Sequence, residues 1–254
     1  MLCAQKSAGV LLCPWKRLKG YTTGSRGVEM IIGFDFDGTL VDSYTPIEEA
    51  FKRALEIRYR WLPGKSLWAK LLTKIELQFE RPTFGGHKKT HKPPFFLRTK
   101  FFETWFIERA KLSKPIDDTP ELLKRLKEEG HVVISFSAED FIDGMKVKRL
   151  KMAGLYDLFD DIIVFGREMT LDEAFRLVRE KYGNETFIWV DDKPWRFIGR
   201  GDENTEFVWY YFPFTAKFVE KNREKLALIP HLHVIRDLWS IFDVIERVKQ
   251  ERSP

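Results

Sequence analysis

Cysteine all but disappears from this 254-residue chain: Cys3 and Cys13 are its two cysteines, and none follows. The body beyond them therefore cannot hold a disulfide, and a thiol-free body suits a reducing cytoplasm, where the protein is expected to reside. Long apolar runs are missing too. No stretch approaches the roughly 18 residues that a membrane-spanning helix needs, so a soluble protein without a membrane partner is expected. Asn and Gln are scarce against abundant Lys, Arg and Glu, a balance that fits a thermophilic source. What is present belongs to a globular chain, with 44% hydrophobic and 32% charged residues. The length allows one sizeable core and a second small unit. A formal charge of +5 and a pI near 9.0 favour approach of anions, whether phosphates, nucleic acid or acidic lipid.

Residues 1–29 mix a short apolar run, Ala8 to Leu12, with Lys16, Arg17, Lys19 and Arg26, and show no periodicity. A poorly ordered extension is expected there. A signal peptide would place its basic region first, and here the order is reversed. Met30 directly precedes a strand-like run and is expected to be the biological start.

From Met30 the pattern changes. Ile31-Ile32-Gly33-Phe34 is short and apolar, as a buried parallel strand should be, and it ends in Asp35. Val132-Val133-Ile134 leads likewise to Ser135 and Ser137, and Phe187-Ile188-Trp189-Val190 leads to Asp191 and Asp192. Further strands are predicted over 161–164 and 207–211. Between them, Thr119 and Pro120 open a helix that stops at Gly130, Thr170 and Glu173 form a capping box for one that stops at Gly183, and 238–248 carries a closing amphipathic helix. Strands alternating with helices predict a parallel α/β sheet that binds ligands beyond the carboxyl ends of its strands. Between Ser43 and about Lys114 the alternation gives way to helices. Their apolar faces are Ile47, Ala50, Phe51, Ala54, Leu55 and Leu62; then Leu67, Trp68, Leu71, Leu72 and Ile75; then Phe101, Phe102, Trp105 and Phe106.

Asp35-Phe36-Asp37-Gly38-Thr39 carries the chemistry. Two carboxylates at i and i+2 after a strand reach one site when the backbone turns sharply, which Gly38 permits. A carboxylate nucleophile splits phosphoryl transfer into two easier steps, and a second carboxyl group can protonate the leaving oxygen and then activate water. The segment resembles the first signature of the haloacid-dehalogenase superfamily, Asp-x-Asp-Gly-Thr, and the resemblance extends over residues 30–200. It implies a three-layer, Rossmann-like core over 30–42 and 115–254, with a helical cap over 43–114 that closes on the site and selects the substrate.

The same resemblance implies roles for individual residues. Asp35 would be the nucleophile and Asp37 the acid and base. Ser137, followed by Ala138 and a helix expected from Glu139, would hold the phosphoryl group. Mg²⁺ would be bound by Asp35 and Asp192 through side chains and by Asp37 through its carbonyl, with Asp191 ranked second to Asp192; carboxylates from two strand ends suit this cation. The family's phosphoryl-neutralising Lys has no match at its usual place; Arg167 is the nearest cation, with Lys146 or Lys148 as substitutes. Superfamily dehalogenases lack the second acid and transport ATPases carry Thr there, so Asp37 leaves a phosphatase or a phosphomutase.

Residues 80–94 form a basic segment in which Lys88 and Lys89 could steer a polyanionic substrate, even a nucleic-acid end. His87 and His91 would pair on a metal only on a helix, and Gly86 and Pro93 argue against one. The aromatic residues at 101–106 and at 207, 209 and 211 read as packing. The expectation is a Mg²⁺-dependent phosphatase acting on a small phosphate monoester through an aspartyl-phosphate. The alternatives are a sugar-phosphate mutase, or a non-catalytic binding protein that uses its basic cap.

Overall fold

The computed structural model describes residues 29–80 and 99–252. The expected N-terminal extension and most of the basic 80–94 segment, Lys88 and Lys89 included, lie outside them. Six strands form one parallel sheet: β1 Ile31–Phe34, β4 Val132–Ala138, β5 Asp161–Phe165, β6 Phe187–Asp191, β7 Thr205–Tyr210 and β8 Leu232–Ile235, in the spatial order β5-β4-β1-β6-β7-β8. Two short antiparallel strands, β2 Val41–Asp42 and β3 Lys114–Pro115, pair Val41 with Pro115 and Asp42 with Lys114.

The near-continuous apolar strands reflect burial on both faces. Ile32, Phe34, Val133, Ile188 and Val190 point into one core, closed by α4 Thr119–Glu128, α5 Met145–Met152 and α8 Ile241–Arg252. Ile31, Ile134, Phe136, Trp189 and Phe207 point into the other, closed by α6 Leu171–Tyr182 and α7 Pro213–Val219. The result is the three-layer architecture expected. Thr170 and Glu173 form the capping box of α6, and Gly183 ends that helix at φ +71°. Strand β8 and helix α7 were not anticipated: His233 and Lys217 interrupt stretches too short to show a period.

Between β2 and β3 lie three helices, α1 Ile47–Arg58, α2 Lys65–Phe79 and α3 Thr99–Leu112. Helix α1 packs on both of the others. Its predicted face from Ile47 to Leu55 is buried, as are Phe101, Phe102, Trp105 and Phe106 of α3, with Phe51 stacked on Trp105 at 4.4 Å between ring centroids. Helix α2 differs from expectation. Ala69, Leu72 and Glu76 are buried, whereas Leu67, Trp68 and Leu71 of its predicted apolar face stay exposed. A stripe is buried only where a partner lies against it, and α2 turns Ala69 and Leu72, rather than Leu67, Trp68 and Leu71, into the core it shares with α1 and α3.

Candidate active site

The chain leaves β1 toward β4 and β5 on one side, then returns to β6 on the other side of β1. That reversal makes the carboxyl ends of β1 and β6 the switch point at which open α/β sheets bind ligands. Asp35 follows β1 directly, Asp191 is the last residue of β6, and Asp192 follows it. One carboxylate oxygen from each of the three lies within 4.8 Å of the others, and all three residues are buried.

The loop after β1 is fitted tightly against this group. Gly38 has φ +79°, and a Cβ there would come within 2.5 Å of both Asp192 Oδ2 and Tyr44 Cε2. Only glycine suits that position on both counts. Thr39 Oγ1 accepts the Asp192 backbone N–H at 3.0 Å, which ties the loop after β1 to the loop after β6.

The three acids are not equivalent. Asp191 is satisfied: Oδ1 accepts the Lys193 backbone N–H at 2.8 Å and Oδ2 accepts from Arg196 Nη1 at 2.8 Å. Arg196 Nη1 also lies 3.3 Å from Asp35 Oδ2. Among the described residues, neither oxygen of Asp192 has a hydrogen-bond partner, nor has Asp35 Oδ2. The cation paired with Asp192 among the described residues is Lys193, whose Nζ stands 3.9 Å from Oδ1 but only 3.1 Å from Glu80 Oε2. Burial, the larger cause, pushes the Asp192 carboxyl well above the usual range against the pull of Lys193, and pushes Asp191 up to about 6 against that of Arg196. Buried carboxylate oxygens without donors fit a divalent cation, and on that criterion Asp35 and Asp192 are the side chains that would hold one.

Asp37 sits in the opposite environment. Lys146 and Arg149 of α5 both pair with its carboxylate, Arg149 Nη1 at 3.0 Å from Oδ2, and Ser43 Oγ donates to Oδ1 at 2.5 Å. Arg109, from α3, brings Nη2 to 3.8 Å of Oδ1 and donates to Ser43 O at 2.7 Å and to Ser43 Oγ at 3.1 Å. Asp140 shares Arg149 and Lys146 at 3.0 and 3.3 Å. Burial works against the Asp37 charge, yet Arg149, Lys146 and Arg109 outweigh it and hold the carboxyl well below its ordinary value.

Strand β1 ends at Phe34 opposite Ser135, and β4 runs on to Ala138, so Ser137 stands beyond the end of β1 beside the Asp35 loop. Ser137 is fully buried, and Ser135 Oγ lies 3.5 Å away. It caps no helix. The helix expected from Glu139 starts at Met145, because the Glu139 carboxylate accepts the backbone N–H groups of Asp140, Gly144 and Lys146 and organises the intervening turn.

The structure therefore brings Asp35, Asp37, Ser137, Asp191 and Asp192 to one strand-end region, and Lys146 with them. It does not bring Arg167, which is 44% exposed, donates to Phe141 O at 2.6 Å and pairs with Asp143 at 2.9 Å. Lys148 is 48% exposed and pairs with Glu103. Sequence reasoning missed Arg109, Arg149, Lys193 and Arg196. Lys146 and Arg149 at i and i+3 share one helix face, a signal that was available; Arg109 offered none.

A family model described as haloacid dehalogenase-like hydrolase matches residues 30–198, and the chain belongs to that family. No curated protein matches it. Among solved structures, YfnB of Bacillus subtilis, described as a HAD-hydrolase bound to magnesium, is 16% identical with a TM-score of 0.57, covering 86% of this chain and 99% of that one. A predicted phosphoglycolate phosphatase from Haemophilus somnus is 15% identical with a TM-score of 0.53, covering 87% and 99%. The L-2-haloacid dehalogenase of Xanthobacter autotrophicus, with chloropropionic acid covalently bound, is 14% identical with a TM-score of 0.50, covering 86% and 98%. At such identities these likenesses concern the fold. Among the described residues no helix is long and apolar enough to cross a membrane.

Proposed function

We propose that the chain is a Mg²⁺-dependent phosphatase that hydrolyses a small phosphate monoester through a phosphorylated Asp35. The observation that carries this reading is the pairing of two kinds of carboxylate at one strand end: Asp35 and Asp192 with unsatisfied buried oxygens, and Asp37 held ionised by cations. Asp35, Asp192 and the Asp37 carbonyl would hold Mg²⁺, which supplies charge neutralisation of the phosphate and polarisation of the phosphoryl centre.

A carboxylate oxygen of Asp35 attacks phosphorus as the bond to the leaving oxygen breaks, and the leaving oxygen takes a proton. Water then attacks the phosphorylated Asp35 and gives a proton to a base. Asp37 as it stands, ionised, suits the second step. For the first it needs a proton, and so must lose contact with part of its Lys146, Arg149 and Arg109 cage. Arg196, beside Asp35, takes the place in which Arg167 was expected, as the cation facing the phosphoryl oxygens. Ser137 offers a hydroxyl on the β4 side.

A panel of phosphate esters assayed with Mg²⁺ tests the proposal. Release of inorganic phosphate, abolished in a folded Asp35→Asn protein, is the expected result. Transfer of phosphate between positions of one sugar would make the chain a mutase, and neither outcome would leave a binding protein.

A further inference from the structure

The exposed stripe of α2 does not stand alone. Leu67 is 74% exposed, Trp68 39% and Leu71 46%; in the α1–α2 connection Trp61 is 77% exposed, and Ile57 at the end of α1 is 53% exposed. Two tryptophans and three large aliphatic side chains in water, within fifteen consecutive positions from 57 to 71, form the kind of patch that marks an interaction surface.

Its charge says what it meets. Between Ile57 and Ile75 the chain carries Arg58, Arg60, Lys65, Lys70 and Lys74 and no acidic residue. Lys65 spends its ammonium on the carbonyls of Arg60 and Leu62, and Arg58 donates to Thr104 Oγ1, so neither charge is neutralised. Among the described residues, Arg60, Lys70 and Lys74 pair with no carboxylate. On the α-helical repeat Leu71 and Lys74 fall within about 40° of Leu67, so apolar and cationic groups share one outward face.

We infer that this face of the helical insertion docks on an anionic lipid bilayer surface, with Trp61, Leu67, Trp68 and Leu71 entering the interface and the lysines and arginines on the headgroups. Tryptophan and leucine amid cations, without acids, is the pattern of an interfacial helix. A second copy of the chain is disfavoured as occupant, because two such faces brought together would oppose five positive charges to five. The surface attaches and does not span, so it needs no membrane-crossing helix. The inference stands independently of the proposed catalysis.

The test is co-sedimentation of the full chain at low salt with vesicles of phosphatidylcholine alone, or mixed in equal parts with phosphatidylglycerol. Binding to the mixed vesicles only, released by salt, is expected. The variants Leu67→Ser/Trp68→Ser and Lys70→Gln/Lys74→Gln should each weaken it about tenfold or more, with thermal melting as the check on folding. If the first variant misfolds, Trp61→Ser in the connection takes its place. Wild-type protein that stays in the supernatant overturns the inference, as do variants that sediment like wild type, or equal binding to neutral vesicles. Retention of a single-stranded oligonucleotide without vesicle binding would assign the face to nucleic acid and also overturn it.

Discussion

Replacing Asp192 by Asn should make the metal-free protein more stable, although it removes a residue of the candidate site. Asp192 is fully buried, both its oxygens lack donors among the described residues, and the cation paired with it is drawn toward Glu80. Leaving a buried polar or charged group unsatisfied costs about 1–3 kcal/mol. An amide carries no net charge beside Asp35 and Asp191, so about 1–2 kcal/mol of that cost should be recovered. At about 2–4 °C per kcal/mol for a chain of this size, melting should rise by about 2–8 °C in EDTA. Mg²⁺ should reverse the order. A ligand at a hundredfold excess over its Kd stabilises the native state by about 2.7 kcal/mol. Wild type should gain about that much, and the variant little. The assay is thermal melting followed by circular dichroism, with and without MgCl₂. A variant that melts lower than wild type in EDTA, or that gains as much from Mg²⁺, would refute the reasoning.

Asp37→Asn should do the reverse, because it strips one of two carboxylates from Lys146 and Arg149 and removes the charge that Arg109 faces at 3.8 Å; a loss of about 3–5 kcal/mol in urea denaturation is expected, and an unchanged midpoint would remove the cage from the account. His131 has an inaccessible side chain whose two ring nitrogens lack hydrogen-bond partners among the described residues, and burial pushes its pKa below 6.5 against the pull of Glu29, 3.8 Å from Nε2. The unfolded chain thus takes up a proton that the folded one resists. Stability is full above pH 6.5 and falls with acidification by up to about 1.4 kcal/mol per pH unit, until the folded-state pKa is reached. His131→Leu should flatten that slope in urea melts at about pH 7.5 and about pH 5, and an unaltered slope would clear the residue. Arg167→Ala should leave turnover within about twofold, since its guanidinium faces Asp143 on the surface, whereas Arg196→Ala should depress turnover at least about a hundredfold; equal effects would refute that assignment.

The sheet was legible because its three central strands, β4, β1 and β6, open on apolar runs that lead to polar residues, and the carboxylates were legible because they sit at the ends of β1 and β6. Strand β8 was not, since Leu232–Ile235 carries His233 at a sheet edge where one flank has no neighbour to impose a pattern. The cations of the site were hidden for another reason. Arg109 comes from a helix whose visible pattern is aromatic, and its role exists only once α3 lies beside Ser43. Arg196 looked like an ordinary loop charge until Asp35 and Asp191 converged on it. The periodicity of α2 correctly announced a helix, but periodicity does not say whether a stripe has a partner, and there the expected burial failed.

The two-residue ribbon of β2 and β3 brings the start and the end of the helical insertion side by side, as Val41 faces Pro115 and Asp42 faces Lys114. By connectivity alone, the insertion is a cassette that a short turn could replace or a relative's helices could fill. Arg109 forbids so free an exchange. It belongs to the cassette, yet its guanidinium rests on Ser43 and near Asp37 across the boundary. A graft without an arginine at that place would remove one positive charge from around Asp37 and the donor that holds Ser43 in place. Chimeras of this chain should therefore work when an arginine at the end of the third helix travels with the graft, and fail when it does not, however well the strand junctions are matched.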